Sequence, residues 1–142
     1  MMVMIRRIFQ VLVRSDAIRY GTFPTSADGA AALAITIAAA AVAWTFGAWT
    51  QIVVLAGVTV ETRIVGFTLE NFVGALAQGE VEIGTGTAPA GTLLGKFTIV
   101  GADVTLPNPI RVPAGVGLVA RYRTSTGAAD TVDIKLKTQT GF

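Results

Sequence analysis

Apolar and polar positions alternate along most of this chain with the period of a β-strand. Glu80-Val-Glu-Ile83 puts Val81 and Ile83 on one face and both glutamates on the other. Residues 117–125 set Leu118, Ala120 and Tyr122 against Arg121 and Arg123. Residues 130–137 set Val132, Ile134 and Leu136 against Asp133, Lys135 and Lys137. A period of two is what a sheet with one buried face requires. Further strands are predicted at 50–55, 59–69, 95–100 and 110–112. The second half of 59–69 is apolar on both faces, as in a buried central strand. Between the strands, 84–95 reads as a Gly/Thr/Pro surface loop and Pro113-Ala-Gly115 as a turn. Leu106-Pro-Asn-Pro-Ile110 reads as an extended linker, because each proline pushes its predecessor out of the helical region. Residues 124–129 read as a hairpin-type loop.

The first 45 residues are less decided. Ile5, Ile8, Phe9 and Leu12 fit a helix, while Val3, Ile5, Phe9, Val11 and Val13 fit a strand. β-Branched and aromatic residues favour the extended form, so residues 1–20 are predicted as an arm or first strand. Residues 21–29, with Pro24, Ser26, Asp28 and Gly29, form a loop. The Ala-rich stretch 30–44 stays open between helix and strand, since Ala favours the one and Ile35, Ile37 and Val42 the other. About eight short strands at close spacing predict an all-β fold, an eight-stranded jelly-roll β-sandwich over 30–142 with an extended N-terminal arm and loop over 1–29.

Composition narrows what such a body does. The 142 residues contain no His and no Cys, which removes disulfides, thiolate metal sites and the commonest general base. Net charge is +2, but its placement is uneven. Residues 1–20 carry Arg6, Arg7, Arg14 and Arg19 against Asp16, a net +3, and the remainder is −1. A near-neutral body argues against nucleic acid as a partner. The span 29–60 is uncharged, yet it is rich in Ala, Thr and Gly and lacks flanking basic clusters, so no membrane span is predicted. A signal peptide fits poorly, because the apolar run 8–13 is short and ends at Arg14.

Candidate chemistry is sparse. Glu80 and Glu82 share a strand face and form the best carboxylate pair, but alternation alone predicts a solvated face there. Asp130 and Asp133 lack the further oxygens that calcium needs. The Gly84–Gly91 run has no Lys-Ser/Thr after it and is no phosphate loop. Ser15, Ser26 and Ser125 have no His partner. No cofactor is implied. Trp44 and Trp49, inside an apolar run, read as core or interface residues. Arg121 and Arg123 share an outward face, with Lys135 and Lys137 beside them if the last two strands pair.

The segments Trp44-Thr-Phe-Gly-Ala-Trp-Thr-Gln-Ile-Val53, Arg63-Ile-Val-Gly-Phe67, Glu80-Val-Glu-Ile-Gly-Thr-Gly86, Pro109-Ile-Arg-Val-Pro-Ala-Gly115 and Asp130-Thr-Val-Asp-Ile-Lys135 resemble small jelly-roll virion proteins of tailed bacteriophages, of the capsid decoration (cement) type. The resemblance covers residues 41–137, and its motifs are structural. It implies a non-enzymatic protein on the outer surface of the capsid head, bound to the major capsid protein and to itself as a homotrimer. It also implies an arm that reaches neighbouring subunits. The residues expected at such contacts are Arg6, Arg7, Phe9, Arg14, Trp44 and Trp49. The alternatives are a tail, baseplate or receptor-binding virion component, and a carbohydrate-binding β-sandwich.

Overall fold

Strand pairing divides the chain into two antiparallel sheets. The structure, a computed structural model, describes residues 18–24, 34–74 and 78–141. Among them are nine strands and no helix: β1 (Arg19–Phe23), β2 (Ile35–Ala38), β3 (Thr50–Val53), β4 (Thr62–Val73), β5 (Gly79–Thr85), β6 (Thr92–Thr98), β7 (Asp103–Val112), β8 (Leu118–Thr124) and β9 (Thr131–Thr140). One sheet has the order β1-β9-β4-β7, with β2 also paired to β9, and the other β3-β8-β5-β6. The chain is thus an all-β sandwich, as its alternation predicts.

Nine strands occupy eight sheet positions. β1 runs along β9 from Thr140 to Leu136, and β2 continues in the same direction from Ile134 to Thr131. The two are one edge strand interrupted after Phe23 and resumed at Ile35. The open question of the Ala-rich stretch is settled at residues 35–38, where Ile35 and Ile37 favour a strand and Ile37 is fully buried. Residues 1–17 and 25–33 lie outside the described residues. The arm predicted over 1–29 can therefore be followed only at residues 18–24, which include β1.

The core fills the space between the sheets. β4 and β9 supply Ile64, Phe67, Leu69, Val132, Ile134 and Leu136, and β5 and β8 supply Val81, Ile83, Leu118, Ala120 and Tyr122. Phe67 of one sheet meets Phe97 of the other, with ring centroids 5.6 Å apart and planes tilted at 57°. In β4 the register against β9 slips between Ile64 and Gly66, so Ile64, Phe67 and Leu69 all face inward, and the apolar residues that strict alternation places on both faces share one.

Three local expectations need correction. β6 begins at Thr92, so part of the predicted 84–95 loop is strand. The 106–110 linker lies inside β7, where the register passes from Ile64↔Ile110 to Gly66↔Thr105. Residues 106–109 therefore bulge out opposite Val65, which relieves Pro107 and Pro109 of a ladder bond on an edge strand. Leu106 turns inward there and is buried. The loop 125–130 is no hairpin, because β8 and β9 belong to different sheets. Lys135 and Lys137 consequently do not lie beside Arg121 and Arg123. Hairpin and crossover loops share the same polar, Gly-rich composition, and only the pairing of the sheets separates them.

Candidate interaction surface

The outer face of the β3-β8-β5-β6 sheet carries two ion pairs that the register sets directly opposite each other. Glu80 faces Arg123 and Glu82 faces Arg121 across β5 and β8. Arg121 Nε donates to Glu82 Oε2 at 2.5 Å, and Arg123 Nε donates to Glu80 Oε2 at 2.6 Å. Glu82 is only 5% exposed. This overturns the reading of Glu80 and Glu82 as a solvated strand face. Alternation identified an outward face correctly, but outward is not the same as wet.

The cover over that face is the segment between β2 and β3. Trp44 N–H donates to the Thr124 carbonyl at 2.8 Å and Gly47 N–H to the Tyr122 carbonyl at 3.0 Å. The segment therefore follows the edge of β8 and folds its rings over the arginines. Arg121 lies 4.4 Å from the Trp49 ring centre and 4.7 Å from that of Phe46. Arg123 lies 4.5 Å from Phe46 and 5.6 Å from Trp44. Rings and guanidiniums thus alternate in the order Trp49, Arg121, Phe46, Arg123, Trp44. Each guanidinium offers its edge to a carboxylate and its face to rings, which the planar arginine head suits.

Glycines make room for this arrangement. A Cβ on Gly84 would lie 3.1 Å from the Trp49 indole, and one on Gly91 would lie 2.7 Å from it. Trp49 is 9% exposed as a result, with Val119 fully buried alongside. A Cβ on Gly47 would lie 1.9 Å from the Ala38 carbonyl oxygen, so this turn needs glycine for closeness alone. Trp44 is left half open, 44% exposed, with a left-handed φ of 56°. That backbone is held by its N–H on Thr124 and by its carbonyl, which accepts from Arg123 Nη1 at 3.3 Å.

A buried carboxylate fixes the neighbouring loop. Asp130 Oδ2 accepts from the Thr124 hydroxyl at 2.8 Å and the Thr126 hydroxyl at 2.6 Å. Burial, and then the charge of Asp130, push the Tyr122 phenol above its ordinary value. Asp133 belongs elsewhere, on the outer face of the other sheet, where Thr36 Oγ1 donates at 2.5 Å and Asn71 Nδ2 at 2.8 Å. These bonds hold its carboxyl below the usual range. The two aspartates therefore form no common site.

Of the expected contact residues, the structure brings Trp44 and Trp49 together in one stack, with only Trp44 presented outward. Arg6, Arg7, Phe9 and Arg14 lie outside the described residues. Phe46, Arg121, Arg123, Glu82, Gly84 and Gly91 complete the stack and were not assigned to it from sequence. The only signal for Phe46 was its place between the two tryptophans. Around the stack, Val42 is exposed, as are Ala41 and Ala43. No group of three metal-ligating side chains occurs among the described residues. No helix among them is long and apolar enough to cross a membrane. Compared with models of known protein families and with curated protein sequences, the chain matches none.

Proposed function

We propose that this protein is a non-enzymatic structural component of a tailed-phage virion, which binds the outer surface of the capsid head and stabilises the shell. The observation that carries the reading is strand connectivity. From β2 onward, sheet orders β2-β9-β4-β7 and β3-β8-β5-β6, with successive strands crossing between sheets except at β5–β6, are those expected of a jelly roll built from two Greek keys. Viral capsid domains are among those that use a jelly roll, and the segments that resemble decoration proteins lie in these two sheets and the loops that join them. The Glu80/Glu82 pair, the best candidate for acid–base chemistry, is bound to two guanidiniums under aromatic rings. That supports a structural role over a catalytic one. Trp44 and its apolar surroundings offer a charge-poor contact surface for the major capsid protein or a neighbouring copy in a homotrimer.

The test is copy number in virions by cryo-electron microscopy. Hundreds of copies clustered on the head are expected. A few copies on the tail, or none at all, would overturn the reading. Removing residues 1–17 is expected to abolish capsid binding while the circular dichroism of the β-body is kept. Trp44→Ala is expected to weaken that binding without changing the fold.

A further inference from the structure

Core-facing positions turn polar at one end of the sandwich. Register partners in an antiparallel pair share a face. Phe23 opposite Leu136 is apolar and buried, but the next pairs on that face are Gly21 opposite Thr138 and Arg19 opposite Thr140. A groove of about 570 Å³ opens there, bounded by β1, by Gly57, Thr59 and Val60 before β4, and by the end of β9. That volume falls within the range of small-ligand sites.

The lining is specific in kind. It combines Arg19, its one charged residue, with five threonines, Tyr20, Phe23 and Val60, and it has no carboxylate among the described residues. Thr62 spends its hydroxyl on the Val60 carbonyl at 2.9 Å. Thr138 is different. It is 5% exposed, and no hydrogen bond of its hydroxyl is found among the described residues. Its Oγ1 lies over Gly21, where a Cβ would come within 3.2 Å, and both residues line the groove. A valine of nearly the same shape would have continued the core, so the hydroxyl faces a place where an apolar side chain is the ordinary choice.

From this lining we infer that the groove binds a hydroxyl-rich small ligand with one anionic group, the chemistry of an acidic sugar. Arg19 supplies a charged fork for the anion, and Thr138 and Thr140 supply hydroxyls that both donate and accept. The inference goes beyond the virion reading and stands on different residues.

The test is a titration of the full chain, followed by amide NMR shifts, with glucuronate, glucose 6-phosphate and glucose. Glucuronate or glucose 6-phosphate is expected to move signals of β1, residues 57–60 and 138–140, and glucose to bind more weakly. A preference between the two anions identifies a carboxylate or a phosphate as the anionic group. Arg19→Gln is expected to weaken binding about tenfold or more, and Thr138→Val about two- to tenfold. An unchanged melting curve would show that each variant is folded, and Thr140→Val serves if Thr138→Val is not. Absence of shifts at tens of millimolar, shifts confined to other regions, glucose binding as tightly as glucuronate, or binding indifferent to Arg19→Gln would each overturn the inference.

Discussion

The two outer faces of the sandwich carry the same chemistry under opposite conditions. The β3-β8-β5-β6 face pairs Glu82 with Arg121 and Glu80 with Arg123 beneath three rings. The β1-β9-β4-β7 face and its margin pair Glu70 with Lys135 at 3.6 Å, Asp103 with Lys137, and Glu61 with Arg111, in the open. The Arg111 and Glu61 side chains there are 64% and 49% exposed, against 31% for Arg121 and 6% for Glu82. A charge pair in water changes stability little, because solvent already satisfies both partners. A covered pair is different. Once the rings exclude water, each member depends on the other, and removing one leaves an unpaired buried charge.

The largest expected effects therefore lie under the rings. Arg121→Ala strands Glu82 and is expected to destabilise the fold by about 3–5 kcal/mol in denaturant unfolding. Trp49→Ala removes a buried indole and the cover of Arg121, at a cost of about 3–5 kcal/mol. Arg121→Met combined with Glu82→Leu is expected to recover much of the loss, since no charge is then left unpaired. If Arg121→Ala proves as mild as a surface substitution, the contrast between the faces fails. On the open face, Lys135→Ala and Lys137→Ala are each expected to change stability by about 1 kcal/mol or less.

Two pH limbs sharpen the same contrast. The Tyr122 phenol is raised in the folded protein, so its contribution is present below the unfolded value of 10.0 and is lost as pH rises toward the folded one. Tyr122→Phe is expected to flatten that alkaline loss. Asp133 is lowered, first by Thr36 and then by Asn71, so its contribution is present above the unfolded value of 3.8 and is lost as pH falls through the folded one. Thr36→Val is expected to remove part of that acid-side dependence. This is the smallest effect, because Asp133 lies on the open face. Unfolding followed across pH checks both.

Much of the fold was legible before the structure. Val132, Ile134 and Leu136 face inward, and Leu118, Ala120 and Tyr122 do the same, because a buried face leaves a period-two trace in any strand. Pro113-Ala-Gly115 is a turn, with Gly115 at a φ of 88°. What the trace does not carry is identity of partners. Lys135 reads like Arg121 in the chain, yet one meets Glu70 in the open and the other meets Glu82 beneath Trp49. The Gly84–Gly91 run reads as loop chemistry, while two of its glycines are spaces for an indole that arrives from residue 49.

By itself, then, the sequence determined the β class, the inward faces of the later strands, and the lack of imidazole and thiol chemistry. Those depend on local periodicity and on residue inventory. Tertiary structure alone decided that β1 and β2 share an edge, that β8 and β9 belong to opposite sheets, and that Trp44, Phe46 and Trp49 cover an outward face. It alone placed Thr138 in the lining of a groove. Each of these depends on which distant strand becomes a neighbour, and alternation within a strand is the same whatever lies beside it.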